Sequence, residues 1–291
     1  MQTFKAEKAA GCQAVRKRDD SVSILPLIRN DQGRETIWCV SPGHGRSFLL
    51  RRTDEFKWII GKGNGLSYTS YPYLATSKQW GDTWGGLPLE NAVRDYDIGM
   101  EASSLGIRTN CMESVVALDR TILKGGQECQ AALLQYSVEC PYRINDYGFM
   151  PKGMLREYLE RWGRIDGLYH LYAAEVVVRN LQLLHDHHVM HNAMHPQNYT
   201  WALELLDFEV SRSDRRPYDN AAYENYVPVL MEAEAVQMYE IINYIAWCLG
   251  ERADWSQIER IYGKYGFDLK ALAIKQERQQ ATVGQVPQNL P

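Results

Sequence analysis

Long hydrophobic runs are missing from this chain of 291 residues. No apolar run approaches the ~20 residues that a helix needs to cross a bilayer, so we expect no membrane-spanning segment. Residues 1–20 are charged and lack the apolar centre of a secretory signal, which favours a cytoplasmic protein. An excess of positive charge is missing as well, because the formal net charge is -4. The composition therefore predicts neither nucleic acid nor a membrane as a partner.

Clustered cysteines are also missing. The six cysteines are scattered without C-x-x-C spacing, and we interpret them as reduced thiols rather than a disulfide framework. Histidines do cluster, at His185, His187, His188, His191 and His195. No H-E-x-x-H motif or cysteine pair accompanies them, so a zinc-dependent hydrolase is only a weak alternative.

The composition that is present is that of an ordinary globular protein. Hydrophobic residues make up 45% and charged residues 23% of a chain long enough for two lobes with a substantial core. β-Rich patterns dominate the first half and helical patterns the second. We predict an α+β protein with a flexible segment 1–20, a β-rich lobe 21–145, a helical lobe 146–278 and a disordered tail 279–291.

Hydrophobic periodicity indicates the individual elements. Short β-branched and aromatic runs between turn residues predict strands over residues 21–28, 36–40, 48–51, 56–60 and 114–118. Apolar residues at helical spacing predict helices over residues 88–106, 155–162, 168–185, 229–249 and 255–265. Residues 131–138 fit either a strand or a short helix.

A glycine-rich stretch, Gly-Lys-Gly-Asn-Gly, follows the predicted strand 56–60. Glycines let backbone N–H groups approach phosphate oxygens, and a lysine supplies a point charge for them. We therefore take Gly61, Lys62, Gly63 and Gly65 as a candidate phosphate-binding loop. The GxxxxGK[ST] pattern of a Walker A loop is absent, and a plain hairpin turn is the alternative interpretation.

The predicted helix 88–106 carries three acidic candidates for pairing with Lys62, which are Asp95, Asp97 and Glu101. In some phosphate-binding sites, a helix supplies a carboxylate that orients the phosphate-binding lysine. We choose Glu101 for this role. The alternative is that all three are solvated surface charges.

The most informative stretch is residues 191–209, HNAMHPQNYTWALELLDFE. It indicates a polar loop, a short apolar strand over residues 202–206 and an acidic residue at the end of that strand. Asn198 and Asp207 are nine positions apart across the strand. Because Mg²⁺ takes oxygen ligands, often only one or two of them from protein, this amide and this carboxylate are the candidate magnesium ligands.

These residues resemble the H-R-D-x-x-x-x-N loop and D-F-G segment of protein kinases. They are more similar to the H-G-D-x-H-P-x-N loop of small-molecule kinases of the aminoglycoside and choline kinase type. The matching positions are His191, His195, Pro196, Asn198 and the pair Asp207-Phe208. The catalytic aspartate of those families falls on Ala193, and a change of Ala193 to aspartate would complete the loop.

A second resemblance is to selenoprotein O-type pseudokinases, which transfer AMP to protein hydroxyls and also lack that aspartate. It covers residues 55–210 in three separated blocks, at 60–70, 91–109 and 191–207. Two departures occur. Gln197 replaces the acidic residue before the metal-binding asparagine, and the glutamate of the family's helix falls opposite Met100, one place before Glu101.

Together the resemblances imply a two-lobed, protein-kinase-like fold and an ATP- and Mg²⁺-dependent transferase acting on a hydroxyl acceptor. Lys62 would hold phosphates, Glu101 would orient Lys62, and His191 would brace the loop. Phosphoryl transfer, impaired by Ala193, is the leading prediction. Protein AMPylation and a non-catalytic scaffold are the alternatives, and the sequence identifies neither the acceptor nor whether Ala193 is natural or engineered.

Overall fold

A computed structural model of the chain describes residues 2–21, 24–29, 37–41, 47–52, 57–65, 85–124, 126–162, 168–217 and 225–274. The predicted disordered tail, residues 279–291, lies outside the described residues. Within them, the structure confirms the α+β class, with a β-rich part followed by a helical part.

The described strands form one eight-stranded sheet in which every pairing is antiparallel. Its order is β2-β7-β8-β6-β5-β4-β1-β3. The strands are β1 (Gln2–Lys8), β2 (Gln13–Lys17), β3 (Leu27–Arg29), β4 (Ile37–Ser41), β5 (Ser47–Arg52), β6 (Trp58–Lys62), β7 (Cys111–Lys124) and β8 (Gln127–Val138). Residues 131–138, ambiguous in sequence, are a strand buried along its whole length. A strand covered on both faces shows no alternation of apolar and polar residues, which explains the ambiguity.

The first 20 residues correct the prediction of a flexible segment, because they supply β1 and β2. β2 lies at the edge of the sheet and pairs only with β7 among the described strands. Its side chains are mostly exposed. An edge strand with exposed, charged side chains has the polar composition of a loop, and so its sequence did not reveal it.

The helices agree with the predictions to within a few residues. They are α1 (Leu89–Ser104), α2 (Lys152–Trp162), α3 (Tyr169–Asp186), α4 (Val227–Leu249) and α5 (Trp255–Lys264). α1 ends where predicted, since Gly106 follows it with a φ of +77°, and glycine adopts that conformation without steric cost. α1 packs against β7 and β8. No helix in the described part of the chain is both long and apolar enough to cross a membrane.

Contacts divide the chain into two compact units. One comprises Met1–Tyr158 and Gln197–Ser211, and the other comprises Leu159–Pro196 and Arg212–Pro291. This differs from the predicted boundary at residue 145. Residues 197–211 belong to the first unit because hydrogen bonds attach them to it, for example from Ile144 N to the carbonyl of Tyr199 at 2.8 Å.

The predicted strand over residues 202–206 is wrong. The chain turns back on itself here: Leu203 N donates to the carbonyl of Thr200 at 2.8 Å, and Leu203 has a φ of +61°. Leu205 alone makes strand-like bridges, to Tyr199 and Thr109. The apolar residues are buried by this compact turn rather than by a strand, and an apolar run alone does not distinguish the two.

Candidate functional site

Lys62, at the end of β6, is the centre of the candidate site. Its side chain is only 2% exposed, although it carries an ammonium group. Nζ lies 2.7 Å from Oδ2 of Asp95, 2.5 Å from Oδ1 of Asp207 and 3.8 Å from Oε2 of Glu209. We call these four residues the lysine site. A buried charge is tolerated only when it is paired, and here it is paired with residues from α1 and from the 207–209 segment.

Asp95 connects the two halves of the lysine site. While Oδ2 faces Lys62, Oδ1 accepts a hydrogen bond from Phe208 N at 2.9 Å. Burial raises the pKa of the Asp95 carboxyl above its ordinary value; the Lys62 ammonium opposes this shift and Asp207 adds to it. Asp95 thereby fixes both the ammonium and the backbone that follows Asp207.

The choice of Glu101 as the partner of Lys62 is corrected, because Asp95 is the carboxylate that the structure places on the ammonium. Asp97, the third candidate, pairs with Arg16 at 3.0 Å. The sequence contained a signal for Asp95. It lies three residues after Ala92 and four before Gly99, on the same small-residue face of the helix that is buried. Glu101 lies nine residues after Ala92, which points it away from that face.

Asp207 has a left-handed backbone, with φ 72° and ψ 65°, and precedes a 3₁₀ turn over Phe208–Val210. Non-glycine residues seldom adopt this conformation. Within the described residues, the four non-glycine residues that have a positive φ are His188, Asn192, Leu203 and Asp207. Three of them lie in the stretch 191–209 that the sequence singled out, and His188 lies three residues before it. Such conformations concentrate at functional sites, where surrounding contacts hold them in place.

Asn198 is held close in space to the residue that precedes Asp207. Leu206 N donates to the main-chain carbonyl of Asn198 at 2.8 Å. Arg143 Nη1 donates to the carbonyl of Gln197 at 2.9 Å and to Oδ1 of Asn198 at 3.4 Å. The turn between Asn198 and Asp207 is therefore closed by a backbone hydrogen bond, and Arg143 holds the Asn198 side chain.

Glu204 anchors this turn from inside. Its carboxylate accepts hydrogen bonds from Glu139 N at 2.8 Å, Cys140 N at 3.3 Å and Thr200 Oγ1 at 2.8 Å. Burial raises the pKa of Glu204 to about 7, against the opposing effect of these donors. Glu204 contacts the protein's own backbone and hydroxyl groups, so we interpret it as a structural residue.

The glycines of the predicted phosphate loop contribute to strand β6 and to packing within the first unit. Gly61 lies within β6, and Gly63 has a φ of +96°. A Cβ on Gly63 would lie 2.6 Å from both the carbonyl oxygen of Ala132 and the Cβ of Leu87. Gly65 N donates to the carbonyl of Gly85 at 3.2 Å. Glycine is therefore required at position 63 for packing within the unit, and residues 61–65 are not a plain hairpin.

The loop that carries position 193 is tethered by Glu234 of α4. Glu234 is buried, and its carboxylate accepts hydrogen bonds from Asn192 N and from Nε2 of His185, the latter at 2.9 Å. The acceptor is a carboxylate, so His185 carries its proton on Nε2. His191 is completely buried, and Ala193 presents only a methyl group. Sequence analysis missed Glu234, because nothing in the pattern of α4 marks it.

The histidines do not gather into a metal centre. In the described ranges, no group of three His, Cys, Asp or Glu side chains could hold a metal ion. His187 and His188 are exposed, as are His195 and Gln197. Asn198 and Asp207 offer oxygen donors only, and such donors suit Mg²⁺ bound together with phosphate oxygens and water. The residues present thus fit magnesium better than zinc.

Comparisons with known proteins give little further guidance. No family model matches the sequence, and no curated protein matches it. Similar solved structures include a Toxoplasma gondii specific rhoptry antigen kinase domain, with 13% identity, a TM-score of 0.41, and coverage of 93% of this chain and 77% of that one. WaaP in complex with acyl carrier protein has 11% identity, a TM-score of 0.38 and coverage of 81% and 85%. An Stt7 homologue from Micromonas algae soaked with ATP has 13% identity, a TM-score of 0.40 and coverage of 92% and 86%. At these low TM-scores we base no functional argument on the similarities.

Proposed function

We propose that this chain is a kinase-like transferase that binds ATP with Mg²⁺ and moves a phosphoryl group to a hydroxyl acceptor. The observation that carries the proposal is the buried ammonium of Lys62, held between Asp95 and Asp207. A lysine is a compact point charge suited to phosphate oxygens. The side chain of Asp207 is 18% exposed, compared with 1% for Asp95, so a ligand reaches the lysine site from the side of Asp207.

Charge balance supports a requirement for a divalent cation. The lysine site contains one ammonium and three carboxyl groups, those of Asp95, Asp207 and Glu209. A triphosphate entering it would be repelled unless another cation compensated the negative charge. Asn198 and Asp207 are the residues that would hold the ion. The cation would neutralise charge on the phosphates and orient them.

The proposed reaction breaks the bond between the γ-phosphorus and the oxygen that bridges it to the β-phosphate. A new bond forms between that phosphorus and the acceptor oxygen, and the hydroxyl proton must leave. Residue 193 is where the aspartate of similar loops accepts this proton, and alanine cannot do so. General-base catalysis contributes about 10²- to 10⁴-fold to a rate, so we expect a slow enzyme whose ATP binding is largely intact.

The test is labelling with γ-³²P ATP and α-³²P ATP in the presence of Mg²⁺, using the present chain and the Ala193→Asp variant. We expect γ label on an acceptor, with a rate about 10²- to 10⁴-fold higher in Ala193→Asp. Ala193→Asn is the matched control, because it adds a side chain of the same size without a base. If neither the present chain nor Ala193→Asp transfers the γ label or the α label, an enzyme of this class is ruled out.

Two alternatives are separated by the same experiment. Transfer of α label would indicate AMPylation, which the resemblance to selenoprotein O-type pseudokinases and the absence of an aspartate at 193 support. A non-catalytic scaffold is favoured by Ala193 and Gln197 together. For a scaffold we expect Mg·ATP to raise the melting temperature while neither label is transferred. A scaffold would bind a protein partner and would have no hydroxyl acceptor.

A further inference from the structure

Two buried polar side chains beside Lys62 have atoms that lack hydrogen-bond partners. The Oγ of Ser47 and both carboxamide atoms of Asn64 have no partner among the described residues. Each residue is only 1% exposed, so bulk water does not satisfy these atoms. Nearly all buried polar groups in folded proteins are hydrogen-bonded, so three such atoms on two residues require an explanation.

Strand register places Ser47 next to Lys62. The two residues are directly opposite each other in the pairing of β5 with β6. Opposed side chains of antiparallel strands lie on the same face of the sheet, with Cβ atoms about 5 Å apart. The hydroxyl of Ser47 therefore lies on the face of the sheet that carries the ammonium.

Asn64 lies close to Lys62 along the chain. Two residues of extended chain span at most about 7 Å, so the Cα of Asn64 is within that distance of the Cα of Lys62. Its backbone is fixed by a bridge to Gly86 and by the adjacent hydrogen bond from Gly65 N to the carbonyl of Gly85. A fixed backbone leaves the carboxamide little freedom to seek another partner.

Elsewhere in the sheet, the hydroxyl of a comparable buried serine has a hydrogen-bond partner. Ser114 on β7 is buried, and its Oγ donates to Oε1 of Gln135 on β8 at 2.7 Å. Leaving buried polar atoms without partners costs folding free energy, whereas an apolar residue in their place would not. Ser47 and Asn64 therefore bear a cost that stability alone does not explain.

We infer that Ser47 and Asn64 are ligand-binding residues of the lysine site, and that the group they contact offers both hydrogen-bond acceptors and a donor. Phosphate oxygens accept from the Ser47 hydroxyl and from the Asn64 amide N–H. They cannot satisfy Oδ1 of Asn64, which requires a donor. The ribose-phosphate part of a ribonucleotide supplies both, through phosphate oxygens and sugar hydroxyls. The identity of this ligand rests on the proposed function, whereas the unsatisfied atoms do not.

Binding measurements on Asn64→Leu test the inference. Titration calorimetry with Mg·ATP, Mg·2′,3′-dideoxy-ATP and Mg·triphosphate compares the variant with the unmodified protein. We expect Asn64→Leu to weaken ATP binding by about tenfold, because the variant loses hydrogen bonds to the ligand. The loss should be smaller for both dideoxy-ATP and inorganic triphosphate, because neither ligand offers a ribose hydroxyl to Oδ1.

Ser47→Ala and Ser114→Ala form a matched pair. Both remove a buried strand hydroxyl, but within the described part of the chain only that of Ser114 has a partner. We expect Ser47→Ala to raise the melting temperature of the ligand-free protein and weaken ATP binding about threefold. Ser114→Ala should lower the melting temperature and leave ATP binding unchanged. Asn64→Leu should behave like Ser47→Ala in the ligand-free protein.

The outcomes distinguish this inference from the proposed function. ATP binding that is equal in the unmodified protein, Asn64→Leu and Ser47→Ala would overturn the inference alone. A fall in melting temperature in both variants would overturn it too, since it would show that these side chains have structural partners. If the unmodified protein binds neither ATP nor triphosphate, the proposed function fails. The assignment of the ligand as a ribonucleotide then fails with it.

Discussion

The lysine site and the loop around position 193 both contain a buried carboxylate, but the two carboxylates are compensated differently. Asp95 faces the ammonium of Lys62, together with a backbone N–H. Glu234 faces a backbone N–H and the ring of His185. An ammonium can exchange one anionic partner for another, including a phosphate. A backbone N–H is a fixed donor, so the contact at Glu234 acts as a tether.

We therefore interpret the lysine site as a region that can bind a ligand, and the loop around position 193 as a segment that Glu234 holds in position. The lysine site holds one ammonium among three carboxyl groups. The loop carries only a methyl group at position 193, and the carboxylate of Glu234 holds its backbone. Variants that remove the ammonium at the first region and the carboxylate at the second test this difference.

The largest effect is expected from Lys62→Met, which leaves Asp95 buried without its cation. Removing one partner of a buried ion pair costs about 3–5 kcal/mol of unfolding free energy. Urea unfolding followed by circular dichroism measures it. The double variant Lys62→Met with Asp95→Leu should recover part of the loss, because the fully buried carboxylate is then absent and only the partly exposed Asp207 and Glu209 remain without the cation. Equal destabilisation in the single and double variants would show that the pair is not the source of the effect.

A smaller effect is expected from Glu234→Met, which removes the tether while keeping a side chain of similar length. Asn192 N and His185 then lose their acceptor, at a cost of about 1–3 kcal/mol. The matched control is Glu240→Met, an exposed position on the same helix, where we expect a change within about 0.5 kcal/mol. Should the two variants unfold at the same urea concentration, Glu234 is not a tether.

The smallest effect concerns Glu204, a buried carboxylate that is compensated without any cation. Its pKa is raised by burial to about 7, so the folded protein binds a proton more tightly than the unfolded chain. The stability that this adds is fully present below the ordinary pKa of a glutamate and is lost as the pH rises through about 7. Relative to Glu204→Gln, the unfolding free energy of the protein should therefore fall by about 1–2 kcal/mol between pH 5 and pH 8.

Urea unfolding of both proteins across this pH range provides the measurement. A difference that stays constant with pH would mean that the donors from Glu139, Cys140 and Thr200 hold Glu204 ionised throughout. Glu204 would then resemble Glu234, because both carboxylates would be compensated by hydrogen-bond donors other than an ammonium. Of the three carboxylates, only Asp95 would face an ammonium.

The local sequence pattern was sufficient to predict some elements of the fold. α3 and α4 were predicted within two residues of their bounds because their apolar residues repeat at helical spacing over many turns. That Asn198 and Asp207 share a magnesium ion remains a prediction; the structure shows a hydrogen bond from Leu206 N, next to Asp207, to the carbonyl of Asn198. The strand proposed between them was not correct, since a buried turn and a buried strand present the same apolar residues.

The sequence alone determined which chemical groups are available: the lysine at 62, the amide at 198, the carboxylate at 207 and the alanine at 193. It also determined the helices, because helical hydrogen bonds are local and their periodicity is visible in a short window. The small-residue face of α1 marks Asp95, but only the tertiary structure showed that this face meets Lys62. The tertiary structure alone also decided that β1 and β2 join the sheet and that Ser47 lies opposite the lysine, because these facts depend on pairing between separate segments of the chain.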